Sequence, residues 1–290
     1  MSFRRPMRRP RIARMNGAGN KILVLDLRGG AKPPSADEAR AIHAAKGLDY
    51  DQLMAVADPR TPGTAAYLLI YNNDGTLAGA CGNGTRCVAD RLCRELAVDR
   101  LCLETQAGVI ACERLADWSY RVDMGRPRFD WRSIPLARPV DDTSRIDLDW
   151  PDGGFELGAV SAVNMGNPHA VFFVPDLAVV DAARLGPLVE VHPLFPEKTN
   201  VTFAQINGPD NATARVWERR VGLTLACGSA ACATVAAASR RGLMGRQATV
   251  RLPGGELKIE WRAPDDHVLM TGPVEFEGEI ALDALYEAAS

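Results

Sequence analysis

YLLIYNNDGTLAGACGNGTRC, residues 67–87, joins three signals in one run. An apolar stretch ending in the aromatic Tyr71 reads as a strand. The polar pair Asn72-Asn73 and a glycine turn follow. Ala80-Cys81-Gly82 then opens a long helical pattern. The same order returns in TARVWERRVGLTLACGSAAC, residues 213–232. There the aromatic is Trp217, the polar pair is Glu218-Arg219, and Ala226-Cys227-Gly228 opens the helix. Cys81 and Cys227 lie 146 positions apart.

The offset persists upstream. Asn20 of GAGNK matches Asn167 of MGNPH, and Gln52 of YDQLMAV matches Asn200 of EKTNVTFA. Four correspondences in one order point to a duplication, and chance among short dipeptides explains one of them at most. Each half opens with a strand, ILVLD at 22–26 or HAVFFV at 169–174. A peripheral helix comes next. In the first half it starts with the capping box Ser35-Ala-Asp-Glu38 and ends near Gly47. LAVVDAARL, 177–185, is the weaker counterpart. Strands LCLET, YRVDM, ATVRL and LKIEW follow the two Cys-led helices, with a hairpin turn at PGG. Many strands and few helices predict a mixed α/β fold of two pseudo-symmetric domains. Each domain is expected to wrap a sheet around its Cys-led helix. The expected bounds are 13–125 joined by 274–290, and 126–273, with 1–12 as a disordered basic extension.

Composition narrows the function. The chain has 290 residues, is 47% hydrophobic and carries a net charge of -2. No global field points to nucleic acid. The Arg-rich start MSFRRPMRRPR lacks the apolar segment of a secretory signal. The uncharged run at 221–239 is rich in Ala, Ser, Gly and Thr and reads as a buried helix, not a membrane span. Seven cysteines without a C-x-x-C pair, and four scattered histidines, argue against zinc. Reduced thiols and a cytoplasmic location are expected.

Cys81 and Cys227 each stand where a helix begins. Unpaired N–H groups and partial positive charge there are expected to lower a thiol pKa from about 8.5 toward neutrality. The N–H groups of Gly82, Asn83, Gly228 and Ser229 can bind a carboxylate, and glycine at 82, 84 and 228 allows close backbone approach. With the halves facing each other, one thiolate could take a proton from a carbon and the other thiol return one. That chemistry is racemisation or epimerisation without a cofactor, helped by stabilisation of the developing charge. Cys87, Cys93, Cys102, Cys112 and Cys232 read as packed hydrophobes. Arg219 offers a fork for a carboxylate, and Glu218 with the Asn and Gln amides can accept from an ammonium. For Asn16 and Asn73 a turn or cap is preferred. A cysteine hydrolase built on Cys227, His169 and Glu218, and a non-enzymatic binding protein, remain open.

MNGAGNKILVLD, NNDGTLAGACGNGTRC, NMGNPHAVFFV, KTNVTF and ERRVGLTLACGSAAC together resemble the diaminopimelate epimerase family, over about residues 14–280. The resemblance implies a cofactor-independent epimerase of LL- and meso-diaminopimelate in lysine synthesis, a homodimer, and two similar α/β domains, each a β-barrel-like sheet around a central helix; no metal is expected. It implies catalytic roles for Cys81, Cys227, His169 and Glu218. Substrate contacts are implied at Asn20, Gln52, Asn72, Gly82, Asn83, Asn167, Asn200, Glu218, Arg219, Gly228 and Ser229. A proline or hydroxyproline racemase of the same fold is the alternative. Lys21-Ile22 stands where many relatives have Asp-Phe, Asn16 where many have His, and Leu223 where an acidic residue is usual.

Overall fold

The computed structural model describes residues 11–149 and 157–281. The basic run at 1–10 and the tail at 282–290 lie outside the described residues. The chain divides into two compact units, Met1–Val122 with Gly272–Ser290, and Asp123–Thr271.

The first unit runs β1 (Arg11–Asn16), β2 (Lys21–Asp26), α1 (Ala36–Ala44), β3 (Gln52–Ala57), β4 (Ala66–Asn72), β5 (Leu77–Ala78), α2 (Gly82–Leu96), β6 (Arg100–Thr105), β7 (Gly108–Arg114) and β8 (Tyr120–Asp123). Strands β2 and β3 are parallel, with α1 as their crossover. β4 runs antiparallel to β3 and β5, and parallel to β6. β7 then joins β6 to β8 in antiparallel hairpins.

The second unit repeats this plan: β9 (Ser161–Asn164), β10 (Pro168–Phe173), α3 (Ala182–Glu190), β11 (Asn200–Gly208), β12 (Asn211–Glu218), β13 (Gly222–Thr224), α4 (Gly228–Arg240), β14 (Gln247–Leu252), β15 (Gly255–Trp261) and β16 (Val268–Gly272). β10 and β11 are parallel across α3, and β12 is antiparallel to β11 and β13 and parallel to β14. The pairing orders match strand for strand. The duplication read from the motifs is therefore a repeat of topology. β17 (Glu275–Ala281) pairs antiparallel with β1 of the first unit.

Each Cys-led helix is the axis of its unit. α2 is buried from Gly82 through Asp90 and touches β2, β3, β6 and β7. α4 is buried at nearly every position and touches β9, β10, β11, β14 and β15. Its alanines let strands close in on all sides while favouring the helix. The run at 221–239 thus contains a buried helix, as its composition predicts. Among the described residues no helix is long and apolar enough to cross a membrane. The peripheral helices pack outside the sheets. Ala39 of α1 joins a core with Leu23, Leu25, Leu53 and Tyr50. Leu185 and Val189 of α3 join one with Phe172 and Phe203, whose rings stack at 5.7 Å.

Three expectations need correction. The basic extension expected at 1–12 does not include its last two residues: Arg11 and Ile12 start β1, and Ile12 is fully buried between β2 and β17. The first peripheral helix stops at Ala44, before Gly47; its capping box of Ser35 and Glu38 is present. In the second half, residues 177–179 form one 3₁₀ turn, and the helix begins only after Asp181, which caps it.

Candidate active site

Cys81 is the N-cap residue of α2, with extended backbone. Its sulfur accepts the Gly84 N–H at 3.2 Å, a task usually given to Ser, Thr, Asp or Asn. The thiol in turn donates to Oε1 of Gln52. Gln52 and Asn72 are directly opposed across β3 and β4. One strand pair therefore carries two amides toward the end of the unit where α2 starts. Asn72 is tied to Thr76 Oγ1 at 3.0 Å. Asn83 is buried, and its Oδ1 has no hydrogen-bond partner among the described residues. A buried bare acceptor costs about 1–3 kcal/mol, so this position is poised for a donor.

Asn20 leaves the loop before β2, and its amide donates to Asp51 at 2.8 Å. Asp51 also accepts the Lys21 N–H at 2.8 Å. The loop lies against α2: a Cβ on Gly17 would sit 3.1 Å from the Asn83 carbonyl oxygen. Asn16 accepts the Gly19 N–H at 2.6 Å, the turn role preferred for it. Lys21 reaches Asp49 at 2.5 Å on the surface.

Cys227 caps α4 in the same extended conformation, and is buried. Its sulfur lies 3.5 Å from Ser229 Oγ. The expected lowering of its pKa is reversed. Burial pushes the thiol well above its ordinary value, and the Glu218 carboxylate adds to this. Ser229 and the Ala230 N–H pull the other way and lose. Glu218 is held by Thr224, whose hydroxyl donates to Oε1 at 2.7 Å.

The remaining candidates of this unit cluster around β10 and β11, where His169 and Asn200 are neighbours in register. Asn200 is buried and engaged at both ends. Its Nδ2 donates to the Pro168 carbonyl at 2.9 Å, and its Oδ1 accepts the Arg219 N–H at 3.0 Å. Arg219 also donates to the Glu197 carbonyl at 3.2 Å. His169 is fully buried, with Nε2 2.8 Å from Asn167 Oδ1 and Nδ1 without a partner among the described residues. Burial, then the Arg219 charge, lowers its pKa to about 3. The imidazole is neutral at physiological pH. In that arrangement its contact is Asn167, which it orients.

Matched positions thus carry different chemistry. By register, Gln52 corresponds to Asn200 and Asn72 to Glu218, while Ile22 stands where the second unit has His169. One unit offers amides and the other offers charge. Gly84 also needs a new explanation: a Cβ there would meet Met54 Sδ at 2.4 Å, so tight helix–strand packing requires the glycine. Sequence reasoning missed Asp51 and Thr224. Both act by holding another side chain across a strand pair or turn, which no local pattern announces.

Two repeated α/β units, each wrapped on a helix with a cysteine at its N-cap position, form a fold that solved structures of several enzyme types share. A hydroxyproline epimerase from Agrobacterium vitis superimposes with TM-score 0.67 at 16% identity, covering 96% of this chain and 94% of that one. A phenazine biosynthesis protein of the PhzF family from Bacillus anthracis gives 0.65 at 12% identity, covering 94% and 99%. Similarity at that level concerns the fold alone. The sequence goes further. The diaminopimelate epimerase family profile matches residues 12–129 and 161–277, and the chain belongs to that family. It is 53% identical to a diaminopimelate epimerase of Methylocella silvestris and 55% identical to one of Methylorubrum populi, over 96% of each chain in both cases.

Proposed function

We propose that the chain interconverts LL- and meso-2,6-diaminopimelate, with Cys81 and Cys227 as the acid–base pair at one α-carbon. The observation that carries this is the cysteine N-cap at repeat-equivalent places, α2 in one unit and α4 in the other. One thiolate takes the α-proton, and the electron pair delocalises onto the substrate carboxylate. The other thiol delivers its proton to the opposite face. The pair ends with thiol and thiolate exchanged, so no oxidant, reductant or added group is consumed. The N–H groups of Gly82, Asn83, Gly228 and Ser229 hold the reacting carboxylate and stabilise the charge that develops there.

The distal end of the substrate is a second amino acid centre. Arg219 takes its carboxylate as a bidentate fork. Glu218 and the amides of Asn20, Gln52, Asn72, Asn167 and Asn200 serve the ammonium groups and the remaining polar atoms. His169 supports catalysis by orienting Asn167. A ring substrate such as proline would want apolar walls in place of this set, so the proline or hydroxyproline reading ranks second. Seven cysteines with no disulfide among the described residues suit a reducing compartment, and we place the enzyme in the cytoplasm, in lysine synthesis, as a homodimer.

Incubation in deuterated water tests the assignment. Deuterium should enter the α-position of LL- and meso-diaminopimelate, with interconversion of the two. Exchange with proline and none with diaminopimelate would overturn it.

A further inference from the structure

We propose that Glu190 is a positioning residue for the Glu218-Arg219 pair, a role that rests on the reading of those two as substrate contacts. Glu190 is the last residue of α3, and it is buried at 5% exposure. A carboxylate is poorly placed there for stability. It faces the negative end of its own helix, and burial strips its water. An apolar residue would pack this corner at lower cost.

Its partners show what the carboxylate does. Oε2 accepts the Trp217 indole N–H at 2.7 Å. Oε1 accepts the backbone N–H of Arg220 at 3.0 Å, and the Lys198 ammonium lies 3.4 Å from the same oxygen. Trp217 and Arg220 are the residues on either side of Glu218-Arg219. One side chain therefore grips both ends of that dipeptide. The grip is needed because the backbone turns sharply: Arg220 sits at φ 66° and Lys198 at φ 64°, left-handed conformations that a free loop would seldom hold. From below, Trp217 is pressed against Gly186 of α3, where a Cβ would come within 2.5 Å of the indole. Among the described residues, the first unit holds its matching dipeptide differently. Its matching aromatic, Tyr71, sends its hydroxyl to the Pro34 carbonyl at 2.8 Å, next to uncharged Asn72 and Asn73. The charged grip occurs in the unit whose dipeptide is charged.

Steady-state kinetics with diaminopimelate test this. Glu190→Gln keeps the shape but cannot accept from all three donors at once. KM should rise about tenfold while kcat changes far less, because a substrate-binding pair loses its fixed geometry. Glu190→Asp should fall between this variant and wild type. A merely structural role would lower the folded, active fraction, and so kcat, at unchanged KM; that result overturns the proposal. If Glu190→Gln does not fold, Trp217→Phe removes one donor and keeps the ring, and an unshifted KM there is equally fatal. A wild-type enzyme inactive on diaminopimelate would remove the substrate reading and this proposal with it. Active wild type with unshifted variants would remove the positioning role alone.

Discussion

The backbone N–H of Arg219 lies 3.0 Å from Oδ1 of Asn200, and the guanidinium donates to the Glu197 carbonyl at 3.2 Å. Arginine geometry is thus set at the backbone by the Asn200 side-chain amide and at the guanidinium by a main-chain carbonyl. Burial lowers its pKa without removing its charge.

Arg219→Lys tests whether that geometry is used. A point charge cannot reproduce a two-pronged contact with a carboxylate. KM for diaminopimelate should rise about ten- to a hundredfold, with a smaller change in kcat, corresponding to about 1.4–2.7 kcal/mol of lost binding. An unaltered KM would place the distal carboxylate elsewhere.

Removing either thiol should stop epimerisation. Cys81→Ala and Cys227→Ala should each lose at least about a hundredfold in rate, the usual contribution of a positioned proton donor or acceptor. The measurement is stereochemical conversion by chiral chromatography. A hydrolase built on Cys227 would survive loss of Cys81, and a binding protein would be indifferent to both changes.

Much of this arrangement was legible before the structure. Ser35 and Glu38 announced α1, because a capping box is local chemistry. The matched motifs around Cys81 and Cys227 announced the repeat. β1 was hidden because its buried Ile12 and Met15 alternate with arginines inside a basic run. Its strand character comes from pairing with β2 and β17, and β17 lies more than 250 residues away. The pKa direction of Cys227 was misread for a similar reason. A helix N-terminus is visible in sequence, whereas the burial and the Glu218 carboxylate that outweigh it belong to the fold. Asn200 was legible as the counterpart of Gln52, and only the fold reveals that Pro168 and Arg219 engage its two ends.

The two thiols should differ in reactivity. Cys227 is buried and its thiol form is favoured, whereas Cys81 is only half-buried. Iodoacetamide at pH 8 should modify Cys81 well before Cys227, since the thiolate is the reacting species. Peptide mass spectrometry of timed samples reads the order. Faster labelling of Cys227 would contradict the burial-dominated environment described for it.

Gly84→Ala sets two effects against each other. Alanine gains about 1 kcal/mol of helix propensity over glycine. The new methyl would press on Met54 Sδ at 2.4 Å, and Met54 is fully buried, so its side chain must repack to make room. Overpacking of this kind costs about 1–3 kcal/mol. Net destabilisation of up to about 2 kcal/mol is expected in urea unfolding. A more stable variant would show that the helix can shift away from β3.

His169 makes stability depend on acid. Its folded pKa is lowered to about 3 from the ordinary 6.5. Between those values the unfolded chain binds a proton that the folded chain refuses, so stability falls as pH falls. The slope approaches about 1.4 kcal/mol per pH unit from this one residue. Going from pH 6.5 to 5 should therefore cost wild type about 1–2 kcal/mol more than His169→Gln, which has no proton to bind. Above pH 7 the two pH dependences should run parallel, because His169 is then neutral in both states. Urea unfolding at a series of pH values checks the sign. Equal acid sensitivity in wild type and variant would mean that His169 takes up its proton in the folded protein, and that the neutral imidazole beside Asn167 is not the working form.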